Sequence, residues 1–215
     1  GLGLQTSEPH HALTVASLLF ASMIVRPLSL VRSLSLQEQV DHAGVRRALL
    51  GTLIALPLLW VTAGRFPFTR LALALIAVHG LVLMLGGTYT YARVPIGFAA
   101  QDLLGLARNP YDRLGHFMQG FVPAIVLREL LIRLGGLRPG KLLMVLVLAC
   151  CLAVSATYEL IEFGAAQTMG QGAEAFLGTQ GDMWDTQWDM LMCLIGAACA
   201  LVLLTRVHDQ QIGAL

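Results

Sequence analysis

Three short stretches of this chain hold six of its thirteen acidic residues: Asp112 in "NPYDRLGHFMQG", Glu159 and Glu162 in "YELIEF", and Asp182, Asp185 and Asp189 in "GTQGDMWDTQWDM". On a helix turning about 100° per residue, Asp182, Asp185 and Asp189 fall within roughly 60° of one another. Trp184 and Trp188 fall on nearly the opposite face, where they suit an interfacial belt. Asp112, His116 and Gln119 repeat the i, i+4, i+7 stripe, and Glu159 and Glu162 are i, i+3 neighbours. Carboxylates crowded at low dielectric do not all stay ionised unaided; a cation, guanidinium groups or protons must offset them. Carboxylates with one imidazole are suitable ligands for a divalent Zn, Mn or Fe ion. The candidate metal ligands are therefore Asp112, His116, Glu159, Asp182 and Asp185. Glu162 or Asp189 is the candidate general base, and Arg93 or Arg113 the candidate contact for an anionic headgroup. Arg108 lies in the same region and could pair with the carboxylates instead.

Simpler explanations compete for some of these residues. Asp182 alone reads equally well as an N-cap, with Asp185 serving the first helical turn and its dipole. Neither role accounts for Asp189, two turns in. A lone His116 is more often a packing histidine than a ligand, and Glu162 alone suits a wet interface. Arg128 and Glu129 are expected to snorkel or to pair near the opposite face. These stretches contain no ExxH pair, so the two-metal template of helical bundles is not matched. Neither GxSxG nor HExxH occurs.

The elements that must position these groups follow from composition. Of 215 residues, 56% are hydrophobic and only 13% charged, which indicates an all-α, polytopic transmembrane helical bundle in a single domain. The apolar runs are continuous, not alternating as in a membrane β-barrel. About six spans are expected: Ala12 to Val31, Arg46 to Ala63, Thr69 to Gly87, Asp112 to Leu134, Leu142 to Phe163, and Asp182 to Thr205. Residues 1–45 form an N-terminal span and loop, and 46–215 the core. "ALTVASLLFASMIV" reads as a retained first helix, because Arg26-Pro27 follows it where a signal sequence would have small residues. The net charge of +1 gives no sign of nucleic-acid binding, and the four cysteines lie in apolar runs without a CxxC pair, as buried thiols do.

The loop from Gly164 to Gly181 has no Lys or Arg, whereas Arg128, Arg133, Arg138, Lys141 and Arg206 mark the other ends of its neighbouring spans. The positive-inside rule then puts the loop outside and the C-terminus in the cytoplasm. Arg26, Arg32, Arg46 and Arg47 run against this pattern, leaving the first span's orientation open. Alternation of the spans brings the start of span four, the end of span five and the start of span six to one level near the outer face.

The words "GGTYTYARVP", "RNPYDRLGHFMQGFVPAIVLRE", "SATYELIEF" and "FLGTQGDMWDTQWDM" resemble the YjdF-like family of bacterial inner-membrane proteins over about Pro57 to Leu203. More distantly, "DRLGHF", a Glu-bearing helix and an Asp-led last helix resemble the VanZ-like pattern, a group linked to glycopeptide resistance and the cell envelope. That pattern usually carries a Lys before the His and a Gln after the Glu, where Arg113 and Glu162 stand here. The resemblance implies a multi-pass inner-membrane protein with a polar site and leaves its reaction open.

Three functions compete. The first is a metal-assisted enzyme acting on a lipid or lipid-linked envelope substrate. The second is a cation- or proton-handling transporter, against which no inverted repeat and no matching carboxylate cluster at the other face is visible. The third is a non-catalytic subunit of a membrane complex, with membrane lipids and a protein as its partners.

Overall fold

A computed structural model describes Gly64 and residues 66–169 and 179–215. The two N-terminal spans expected from the sequence, and residues 170–178 of the charge-free loop, lie outside the described residues. The described residues are helical: α1 (Arg70–Tyr89), a 3-10 turn (Tyr91–Arg93), α2 (Pro95–Leu104), α3 (Tyr111–Arg133), α4 (Lys141–Met169) and α5 (Asp185–Ile212). By length and composition, α1, α5 and the Lys141–Gly164 part of α4 can each cross a membrane. With 23 residues, α3 is also long enough, at about 1.5 Å per residue. Its Asp112, His116, Arg128 and Glu129, however, are buried among the other helices, and Arg113 and Arg133 are half-buried. Large apolar side chains point outward instead, among them Leu160, Ile161 and Phe163 on α4 and Val202 and Leu203 on α5. That is the reverse of a water-soluble surface.

The most extensive packing is between α3 and α5. A Cβ on Gly120 would land on the Cys193 carbonyl, and one on Gly196 would land on the Phe117 carbonyl. Each glycine thus lets the partner's backbone approach, as small residues do where membrane helices cross. Around the crossing, Ala124, Ile125, Val147, Cys151, Cys193, Ala197 and Ala200 form a buried apolar cluster to which α4 contributes. All four cysteines are free; Cys151 and Cys193 are buried and Cys150 and Cys199 half-buried.

Helix α5 differs from the expected span at both ends. It begins three residues after Asp182, because Gln180 (φ 48°) and Gly181 (φ 83°) turn the chain before it. The Asp182 side chain then accepts from the Trp184 amide at 2.9 Å, an Asx-type turn ahead of the helix. Asp182 is therefore not the helix N-cap, a position that Trp184 occupies. At its other end α5 continues past Thr205, where the fully buried His208 joins a polar network.

In that network the Glu129 carboxylate accepts from the Thr69 amide at 3.0 Å and the Thr69 hydroxyl at 2.7 Å. It also accepts from Arg133 at 2.6 Å and lies 3.0 Å from His208 Nε2. Arg128 meets His208 Nδ1 at 3.1 Å and Asp209 at 2.5 Å. A guanidinium only donates, so Nδ1 must accept and Nε2–H must donate to Glu129. Thr69 is itself the N-cap of α1, so this carboxylate ties the start of α1 to α3 and α5. Arg128 and Glu129 each pair, as one of the two expected roles had it, in a buried polar network at the end opposite the aspartates. Arg128 pairs with Asp209 and His208, and Glu129 with Arg133 and His208, not with one another. The sequence shows no sign of it because Glu129 and His208 are 79 positions apart.

Because the crossing depends on two absent side chains, Gly120→Ala and Gly196→Ala should each lower the thermal unfolding midpoint in detergent. Overpacking of this kind costs about 1–3 kcal/mol. Gly164→Ala, whose Cβ meets open space, serves as the control. Midpoints indistinguishable among the three variants would show that the helices are not in backbone contact there.

Candidate functional site

The first turns of α3 present Asp112, Arg113 and His116, and the latter part of α4 presents Tyr158, Glu159 and Glu162. Asp182, Asp185 and Asp189 arrive from the turn before α5 and its first turns. The connector before α3 adds Arg108. Asn109 holds this connector in place: its Nδ2 donates to the Val94 carbonyl at 3.0 Å, and its Oδ1 accepts from the Tyr111 amide at 3.0 Å. The Asn109 side chain fills the space that a Cβ on Gly97 would need. Gln180 then clasps the Asn109 backbone, accepting from its amide at 3.0 Å and donating to its carbonyl at 3.1 Å. The segment leading into α5 is thereby strapped to the segment leading into α3.

The charges form two layers. In the first, Arg108 lies 2.5 Å from Asp185, 3.6 Å from Asp182 and 3.7 Å from Asp112. Arg113 lies 2.9 Å from Asp182, 3.1 Å from Asp185 and 3.3 Å from Asp189. The Arg113 guanidinium also sits 5.6 Å from the Trp188 ring centre, a cation–π contact. The Trp184 amide, followed by Arg113 and Arg108, holds the Asp182 carboxyl below the usual carboxylate range. Its pairing with Arg113 and Arg108 therefore persists well below neutral pH and is lost only as the pH falls through that lowered value.

The second layer is centred on His116. Nε2 lies 3.9 Å from Asp112 Oδ1 and 3.9 Å from Asp189 Oδ2, while Nδ1 lies 3.7 Å from Glu159 Oε1. The ring stands edge-on to Tyr158, with centroids 6.2 Å apart. All four ionisable groups are buried. The distances exceed those of hydrogen bonds, and Asp112 Oδ2, His116 Nδ1, Glu159 Oε1 and Asp189 Oδ1 have no hydrogen-bond partner. Asp112, His116 and Asp189 can each offer one ligand atom, all within 4.8 Å of one another.

The structure thus brings together Asp112, Arg113, His116, Glu159, Asp182, Asp185 and Asp189, but not as one undivided set. Asp182 and Asp185 are engaged by arginines. Glu162 is half-buried on α4, one helical turn beyond Tyr158. Arg93 is exposed on the 3-10 turn, and among the described residues the ion pairs at this end run through Arg108 and Arg113. The part played by Arg108 had a detectable signal, since it precedes Asp112 by four residues. The strap residues Asn109 and Gln180, and Tyr91, which packs beside Gly86 and Gly115, had none.

Comparison with known proteins agrees with this picture. Residues 14–210 match the family described as "Predicted membrane protein (DUF2238)". The chain belongs to that family. It is 54% identical over 160 residues to the Inner membrane protein YjdF of Escherichia coli (strain K12), an alignment covering 74% of this chain and 77% of that protein. No solved structure matches the chain. It is an integral membrane protein of the YjdF/DUF2238 family.

Removing one cation from the first layer should expose the cost of its carboxylates. Arg113→Gln should destabilise the protein by about 3–5 kcal/mol, the scale for breaking a buried pair from one side. Adding Asp185→Asn should recover part of that loss. Thermal unfolding of the single and double variants measures the coupling, and strictly additive effects would mean that the pair does not interact.

Proposed function

We propose that this protein is a membrane-embedded, metal-assisted enzyme acting on a lipid or lipid-linked substrate of the bacterial envelope. The observation that carries this reading is the set of buried, unpartnered ionisable atoms around His116. Native proteins satisfy such groups almost without exception, and departures gather at functional sites. In this reading the chain crosses the inner membrane several times, with the site near the outer face and the C-terminus in the cytoplasm. The charge-free loop supports that orientation.

Two features favour chemistry over transport. The apolar cluster around the Gly120–Gly196 crossing separates the His116 site from the Glu129–His208 network. Among the described residues, no buried side-chain polar atom of Thr69, Arg128, Glu129 or His208 lacks a partner, so that network offers a passing ion no buried unpaired group. In the proposed roles, Glu162 serves as the general base from the rim of the site, where it is half-buried. Arg93, exposed beside the same end, and Arg113 hold the anionic headgroup. Asp112, His116 and Asp189 would hold a divalent metal ion, which would supply Lewis-acid polarisation of the headgroup.

The test is conversion of lipids in nanodiscs made from bacterial envelope lipid extract, followed by mass spectrometry with a divalent metal supplied. The wild type should deplete one headgroup class over time. Glu162→Gln should slow this by about 10²–10⁴-fold, the usual contribution of a general base. Arg138→Gln, on the connector at the opposite end, should leave it unchanged. A wild-type protein that converts no lipid in the extract would overturn the proposal.

A further inference from the structure

The two buried histidines of the described core provide an internal comparison. His208 has a partner at hydrogen-bonding distance on each ring nitrogen, at 3.1 and 3.0 Å. His116 faces three acids and the Gln119 side chain, and its nearest carboxylate oxygens lie at 3.7–3.9 Å. The chain can therefore close a His–carboxylate contact in this fold, and at His116 it leaves room.

We propose that one divalent transition-metal ion binds between His116 Nε2, Asp112 and Asp189, with Glu159 positioning the imidazole through Nδ1. The inference rests on the reading above only for what the ion does; its binding stands on the geometry.

Ligand atoms around a tetrahedral ion bonded at 2.0–2.1 Å lie about 3.4 Å apart. The two 3.9 Å separations from Nε2 need to close by only about half an ångström to reach that spacing. The nitrogen that faces both aspartates is the one that ligates. The other faces Glu159 at 3.7 Å, the arrangement in which a carboxylate orients a metal-bound histidine and raises its basicity. Glu159 is therefore a positioning residue and not a ligand.

Charge leads to the same conclusion. Among the described residues, Asp112, Glu159, Asp182, Asp185 and Asp189 face two guanidiniums, which lean on Asp182 and Asp185 most closely. A dication at His116 supplies what the arginines leave uncompensated. An imidazole beside two carboxylates selects Zn, Mn or Fe(II) over Ca or Mg, which favour all-oxygen shells. Two ions are not expected, because the bundle's two-metal template needs a second histidine and further carboxylates, and Asp182 and Asp185 are held by arginine.

Purified full-length protein in detergent, loaded with Mn(II) and desalted, should carry about one ion per chain by elemental analysis and give a bound-Mn(II) EPR signal. Asp112→Asn, His116→Gln and Asp189→Asn should each reduce the ion at least tenfold while keeping a cooperative thermal transition. Glu159→Gln should weaken affinity by about 10–100-fold, with Glu159→Asp restoring most of it and the EPR signal. Asp182→Asn should change neither. Substoichiometric metal in the wild type, or full occupancy in His116→Gln, would overturn the site. The outcome separates from the enzymatic reading. Lipid conversion that persists in EDTA would leave an enzyme without this ion, and one ion per chain without lipid conversion would leave the ion without the enzyme.

Discussion

The rest of the structure depends on the close crossing of α3 and α5. Two backbones meet where Gly120 faces Cys193 and Gly196 faces Phe117, and each glycine leaves no room for even a methyl group. In lipid, water does not drive helices together; contact at this range supplies the attraction. The same contact carries both polar centres, because side chains projecting inward beyond the crossing must meet those of the partner helix. Asp112 and His116 meet Asp189 at one end, and Arg128 and Glu129 meet His208 and Asp209 at the other.

The two centres are solved differently. At the Glu129 end, Arg128, Glu129, Arg133, His208 and Asp209 each have a hydrogen-bonded counterpart, and the network fastens the start of α1 as well. Such a network rigidifies the bundle. At the His116 end, the arginine layer and the Asn109–Gln180 clasp hold the backbone firmly around a centre whose own contacts remain open. A firm surround with an unsatisfied interior is how a preorganised site is built. The apolar cluster around the crossing lies between the two ends.

Much of this was legible in the sequence, for physical reasons. Long apolar runs specify membrane helices whatever their partners, so α1, α3, α4 and α5 appear close to where expected. The convergence of Asp112, His116, Glu159, Asp185 and Asp189 follows from alternating helices and helical phase. Three things were not legible. Asp182 shares the helical phase of Asp185 but precedes the helix, because the positive φ of Gln180 and Gly181 has no signature in the hydropathy pattern. The pairing of Glu129 with His208 depends on a long-range register that local pattern does not contain. The division of the acids between arginines and histidine is a matter of ångströms, and spacing alone treated Glu159, Asp182 and Asp185 as equivalent to Asp112.

The central claim is that the open contacts around His116 form a ligand site and are not a packing fault. An experimental structure of the manganese-loaded protein, with anomalous data collected above the manganese edge, tests this most directly. The account predicts one anomalous peak about 2.2 Å from His116 Nε2 and within bonding distance of Asp112 and Asp189, with Glu159 drawn in to hydrogen-bonding distance of Nδ1. Clear density with no peak there, and the His116 contacts closed by protein or water, would contradict it.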